Sequence, residues 1–246
     1  VLTRILARDG AQVSATTAAR EAADPAMRLQ AAADMYYDAL GAAAENRLGV
    51  GARDRLDGIA DAVIPQLSQR EAWPVLRRNL SVLALRGADP RELLTEALAK
   101  GSVSDAADPA AVLDHRIDPA GTHSSGIGVL RWLPAVPQAL ADDPQWGAYL
   151  GRREKLVEDL AEEIRERARG WTNASAPAWA RPLITVNPVL TAEIAVFRAA
   201  TGVAEADTRI TGARQFPVRT RGVQAALQRQ AATDIGRHSA DTSRWN

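Results

Sequence analysis

Asp89-Pro-Arg-Glu-Leu-Leu-Thr-Glu-Ala-Leu-Ala-Lys-Gly101 decides the fold class of this chain. Asp at an N-cap accepts bonds from orphan backbone N–H groups, Pro at the first helical position gives up an N–H that had no partner, and Gly just past Lys100 stops the helix. The same Asp/Asn-Pro signal recurs at Asp24-Pro25, Asp108-Pro109, Asp118-Pro119, Asp143-Pro144 and Asn187-Pro188, and most of these pairs open an Ala/Leu-rich periodic stretch. The expectation is an all-α protein, an irregular multi-helix bundle divisible into two helical subdomains, with no substantial sheet.

Outward from that stretch, a long helix is expected from Asp24-Pro25 to Gly49, with Met27, Ala31, Met35, Leu40 and Ala44 on one face. A second covers Arg53–Leu67, its last turn shortened by Pro65. Ser68-Gln69-Arg70-Glu71 fits a capping box for a third, which carries Val75, Leu76, Leu80, Leu83 and Ala84 before Gly87. Toward the N-terminus, Val1–Arg8 reads as a helix end and a short helix is expected after Thr16 or Thr17. Toward the C-terminus, Pro137 leads into a short helix and Asp143-Pro144 into a long one. The long one is expected to bury Tyr149, Leu156, Leu160, Ile164 and Ala168, with Glu163/Arg167 and Glu166/Arg169 paired on the wet side. Residues 170–182 form an irregular connector, Asn187-Pro188 opens a helix through Thr201, and Gly222–Gly236 reads as the last.

The domain expectation is an N-terminal helical subdomain over 1–118, a loop or linker at 119–128, a second helical subdomain over 129–207, and an Arg-rich segment with one helix over 208–246. The linker has a mobile loop's composition, Asp-Pro-Ala-Gly-Thr-His-Ser-Ser-Gly-Ile-Gly.

The 246 residues are 46% hydrophobic, enough to fill real cores, but only 4% aromatic, so Ala, Leu and Val must do the filling. The chain has no cysteine, which excludes disulfides, thiol catalysis and thiolate metal sites and fits a reducing, cytoplasmic setting. No apolar run reaches the ~20 residues that a bilayer span needs, and no signal peptide is visible. The chain opens at Val1, which suggests a piece of something longer.

A net charge of zero hides an uneven distribution. Residues 208–246 carry Arg209, Arg214, Arg219, Arg221, Arg229, Arg237 and Arg244 against only Asp234 and Asp241. Arg binds phosphate bidentately and Trp can stack on unpaired bases, so Arg214, Arg219, Arg221, Arg229, Arg237, Arg244 and Trp245, with Trp171 and Trp179 as further members, form the candidate DNA-binding set. Single-stranded or duplex DNA is the corresponding partner.

Other chemistry is thin. Neither Lys100 nor Lys155 has a P-loop context, and Gly49-Val-Gly51 and Gly126-Ile-Gly128 lack both a preceding strand and a third glycine. His115 and His123 could be imagined with Asp114 or Asp118 as a metal site, or with Ser124 as a triad, but the spacing does not compel it. Glu154, Glu158, Glu162, Glu163 and Glu166 read as the exposed side of a helix. The residues name no catalytic group, metal ligand or cofactor.

Several stretches nevertheless carry a likeness. Val1-Leu-Thr-Arg-Ile-Leu-Ala-Arg-Asp-Gly-Ala-Gln, Ser14-Ala-Thr-Thr, Ala72-Trp-Pro-Val-Leu-Arg-Arg-Asn-Leu, Asp105-Ala-Ala-Asp-Pro-Ala-Ala-Val-Leu-Asp, Leu130-Arg-Trp-Leu-Pro-Ala-Val-Pro, Asp142-Asp-Pro-Gln-Trp-Gly-Ala-Tyr-Leu, Asn187-Pro-Val-Leu-Thr-Ala-Glu and Ala206-Asp-Thr-Arg resemble the C-terminal region of actinobacterial conjugative relaxase-helicases of the MobF (TrwC-like) type. Such proteins nick plasmid DNA with a tyrosine and a histidine-held metal and unwind it with an ATP-driven helicase. Neither motif set stands here: Tyr36-Tyr37 echoes paired relaxase tyrosines but sits in an Ala-rich helix without a histidine triplet, and reads as packing. The resemblance implies a non-catalytic helical accessory module of a plasmid-transfer enzyme. Its contacts would be DNA, other domains of the same polypeptide, or other conjugation proteins. The alternative is a structural or protein-interaction domain that touches no DNA and catalyses nothing. An enzyme would need a polar pocket, such as a cleft gathering His115, His123 and acids.

Overall fold

The computed structural model describes residues 23–119, 126–215 and 217–243. Nine α-helices stand among them: α1 (Pro25–Arg47), α2 (Ala52–Val63), α3 (Trp73–Ala84), α4 (Pro90–Ala99), α5 (Pro109–Ile117), α6 (Gln138–Ala141), α7 (Trp146–Arg169), α8 (Pro188–Ala200) and α9 (Val218–Ser243), with one 3₁₀ turn at Leu67–Gln69. The described residues hold no strand, only an isolated antiparallel bridge between Ile127 and Pro134, so the all-α expectation holds. The helices expected before Asp24 lie outside the described residues.

The Asp/Asn-Pro signals work through capping. Asp24 Oδ1 accepts the Ala26 N–H at 3.0 Å, Asp89 Oδ1 the Arg91 N–H at 2.7 Å, and Asn187 Oδ1 the Leu190 N–H at 2.9 Å. Asp143 Oδ1 takes the N–H groups of both Gln145 and Trp146 at 2.9 Å, so α7 begins after a turn. Asp118-Pro119 behaves oppositely. Asp118 closes α5, its N–H on Asp114 O at 3.0 Å, because a residue before proline is pushed out of the helical region. The same effect ends α2 at Val63, short of the expected Leu67, with Ile64 extended before Pro65.

Among the described residues, one compact unit draws on 23–32, 159–212 and 231–243, and the other on 33–158 and 213–230. The described residues on both sides of the stretch 120–125 belong to the second unit. Residues on either side of it are tied together there: Tyr36 donates to Pro134 O at 2.7 Å, and Trp146 Nε1 to Asn46 Oδ1 at 3.1 Å.

In the second unit α2 packs on α4, α3 on α5 and α4 on α5. Their core gathers Leu56, Ala60, Leu67, Trp73, Leu76, Leu80, Leu94, Ala97 and Leu113. Each such Leu contributes about 1.5–3 kcal/mol on burial. Trp73 Nε1 reaches Asp57 Oδ1 at 2.7 Å, and the Arg77 guanidinium lies between Glu45 at 2.8 Å and Asp57 at 3.3 Å, so the polar groups around this core are paired. A second cluster joins Leu40, Ala43 and Ala44 to Val82, Leu140 and Leu150.

In the first unit α8 is buried along most of its length, including Leu190, Ile194, Val196 and Phe197, as a helix apolar on nearly every side must be. Arg165 bridges from α7 to Glu193 of α8 at 2.7 Å.

Four expectations are corrected in whole or in part. α1 buries Leu29, Ala32, Ala33, Tyr36, Leu40, Ala43 and Ala44, and leaves Met27 and Met35 exposed; alanine on both sides gives its face no contrast. α7 buries Leu160, Ile164 and Ala168 as expected, but adds Leu150 and Val157 while Tyr149 and Leu156 are only partly covered, and Arg167 and Arg169 pair with Asp24 and Glu162. The capping box does not form: Ser68 gives its N–H and hydroxyl to Asp61, at 2.9 and 2.8 Å. The last helix is longer than expected, running Val218–Ser243.

Candidate functional site

A cleft of about 730 Å³ opens in the second unit, lined by parts of α1, α3 and α5 and by the start of α9. Small apolar side chains, Ala72, Val75, Ala111 and Val112, form part of its lining together with Pro217; the other lining residues are polar or charged. At its centre the Arg219 guanidinium lies 4.2 Å from the centroid of the Tyr37 ring while Nη2 donates to Asp34 Oδ1 at 3.1 Å. The Tyr37 hydroxyl donates to Asn79 Oδ1 at 2.6 Å, and Asn79 Nδ2 donates in turn to Asp114 Oδ1. Arg78 pairs with Asp38. Burial, then the negative charge of Asp114, pushes the Tyr37 phenol well above its ordinary value, with Arg219 opposing. Tyr37 thus gives its hydroxyl hydrogen to Asn79 and its ring face to Arg219.

Of the imagined histidine–acid set, His115, Asp114 and Asp118 all line this cleft, whereas His123 and Ser124 lie outside the described residues. One Asp114 oxygen is engaged by Asn79. Among the described residues no group of three His, Asp or Glu side chains is arranged to hold a metal ion. Tyr36 is fully buried, its hydroxyl on Pro134 O and its phenol pushed up by burial and then by Glu154.

The arginine set is dispersed. Arg214, Arg221 and Arg237 make no ion pair among the described residues; Arg214 and Arg237 are exposed, and Arg221 lines the cleft half-buried. Arg229 is exposed on α9. Arg219 is partly withdrawn by its stack on Tyr37. Arg214, Arg219, Arg221 and Arg229 belong to the second unit and Arg237 to the first. Arg244 and Trp245 lie outside the described residues.

The first unit has its own cleft, of about 520 Å³. Trp171 and Trp179 stand edge to face in it, ring centroids 5.7 Å apart at 79°. Trp179 is buried and Trp171 half-buried. Beneath Trp179 lies Arg198, only 4% exposed, with its guanidinium 4.8 Å from the ring centroid. It donates to the carbonyls of Ala204, Asp207, Arg209 and Ile210, which accounts for burying a charge there. Burial lowers this guanidinium's pKa from its ordinary value, Asp207 opposing and Arg209 reinforcing. Asp207 is itself held down to about 2 by the Arg209 guanidinium and the Arg209 backbone N–H. Sequence reasoning assigned Arg198, Gln30 and Glu205 no role: a lone arginine in an apolar helix was the one available signal, since a buried guanidinium demands several acceptors.

Compared with family models, curated proteins and solved structures, the chain matches none.

Proposed function

We propose that this chain is a non-catalytic helical module of a conjugative DNA-transfer enzyme, contacting DNA or other parts of the transfer machinery. The observation that supports the DNA contact is the set of exposed arginines at Arg214, Arg229 and Arg237, of which Arg214 and Arg237 carry no ion pair among the described residues. Unpaired exposed guanidinium groups are available to phosphate without first losing a carboxylate partner. The sequence resemblance supplies the DNA-transfer context. The protein-interaction alternative draws its support from the small-residue part of the second unit's cleft at Ala72, Val75, Ala111 and Val112, which suits an apolar side chain of a partner.

Binding of labelled single-stranded and duplex oligonucleotides over a salt series tests the reading. Truncation before residue 208 is unsuitable, because Thr211, Thr220, Gln224, Leu227 and Ala231 are buried. The triple variant Arg214→Ala/Arg229→Ala/Arg237→Ala leaves that packing in place. Saturable binding that falls steeply with salt, with the log–log slope reduced by roughly 1 per lost phosphate contact in the variant, supports DNA contact. Absence of binding at low salt rejects it in favour of the protein-interaction reading.

A further inference from the structure

The cleft of the first unit is walled by aromatic and apolar side chains, Trp171, Trp179, Pro177 and Met27, with the polar groups Gln30 and Glu205 also in its lining. Trp179 is fixed by Arg198 on one side and Trp171 on another. Trp171 is half-buried and its indole N–H has no protein acceptor among the described residues. Gln30 and Glu205 are exposed and likewise carry no hydrogen bond to described residues. Gly202 sets how closely Gln30 approaches: a Cβ there would lie 2.4 Å from Gln30 Oε1, and its φ of +65° further favours glycine.

We infer that this cleft receives a single unpaired nucleobase bearing an exocyclic amine, adenine, cytosine or guanine and not thymine, stacked against Trp171 with its edge read by Gln30 and Glu205. The inference rests on the nucleic-acid reading above and deepens it. A fixed indole offers a stacking platform that any base can use. A side-chain amide offers one donor and one acceptor, matching adenine N7 and its N6 amine. A carboxylate accepts from the amine of cytosine or adenine but faces the O4 carbonyl of thymine with like polarity. The cleft's volume lies within the usual range for small-ligand sites.

The test uses uncharged nucleosides, so that arginine–phosphate contact does not contribute, on the full chain. In an amide and indole NMR spectrum, the indole resonance missing from Trp171→Phe identifies Trp171. Deoxyadenosine and deoxycytidine are expected to shift it saturably, with thymidine binding at least about fivefold more weakly. Trp171→Ala should weaken binding at least about fivefold, Trp171→Phe much less. Gln30→Ala and Glu205→Gln, both at exposed positions, should erode the base preference without unfolding the chain. The Arg214/Arg229/Arg237 triple variant should bind nucleosides unchanged. Oligonucleotide binding with no nucleoside response, or responses equal for all bases and indifferent to Trp171, overturns this inference and leaves the DNA reading standing. Nucleoside binding without salt-dependent oligonucleotide binding has the reverse meaning.

Discussion

Asp108 holds the backbone N–H of Ala72, 36 residues away in sequence, on its Oδ2 at 2.8 Å, while its Oδ1 takes the Ala110 N–H at 2.8 Å. One carboxylate thus serves the entrances of both α3 and α5, two helices that pack on each other. The local capping box at Ser68–Glu71 is unused, Ser68 being bonded to Asp61, and the entrance of α3 takes its acceptor from this long-range partner.

Asp108→Ala should therefore cost more than an ordinary cap. Loss of one N-cap costs about 1 kcal/mol, and leaving the partly buried Ala72 N–H unpaired adds roughly 1–3 kcal/mol. Urea unfolding of Asp108→Ala beside Asp89→Ala, whose carboxylate serves one helix only, checks this; equal losses would mean that the Ala72 bond contributes nothing.

Arg198→Ala should destabilise the first unit by at least about 3 kcal/mol, since it strips the donors from carbonyls at 204, 207, 209 and 210 together. Amide hydrogen exchange should rise first across 203–211. Arg198→Met, which keeps much of the volume, should rescue little, because the lost element is the donor fork and not the packing.

The Asp207 carboxyl is depressed from 3.8 to about 2. Its contribution to stability is present above the unfolded value near 3.8 and is lost as pH falls from there through about 2. NMR titration should find it well below the other carboxylates, and Arg209→Ala should return it toward the ordinary range. A titration unmoved by that change would place the cause elsewhere.

Glu154 moves the opposite way, raised by burial and then by Glu158 one turn along α7. A raised folded value means that its stability contribution is present at low pH and is lost as pH rises through the folded value. Glu154→Gln should accordingly raise the midpoint of thermal unfolding at pH 7 and have little effect at pH 3. Equal effects at both pH values would remove ionisation as the reason.

Tyr36→Phe should cost about 1–2 kcal/mol through loss of the buried bond to Pro134 O, which leaves that acceptor unpaired. Denaturant unfolding monitored by tryptophan emission reads it out. A smaller change would show that water replaces the hydroxyl.

The fold class was legible because its signals are local. An Asp or Asn side chain finds the backbone N–H two or three residues on, and proline forbids what would interrupt it. The candidate site was legible only as composition: the arginines of 208–246 could be counted, but Arg219 was not assignable to the Tyr37 face nor Asp114 to Asn79. A guanidinium or amide chooses among partners that the chain brings together from distant positions.

By itself the sequence determined that the chain is helical and where α1, α4, α5 and α8 begin, since those depend on dihedral preference and on acceptors within one turn. Tertiary structure decided which stripe of alanine-rich α1 is buried, which carboxylate serves α3, and that Arg198 lies under Trp179 while Arg237 stays exposed. Burial and long-range pairing are settled by the summed contacts of distant segments, and in helices where alanine occupies every face the local pattern offers too little hydrophobic contrast to fix them beforehand.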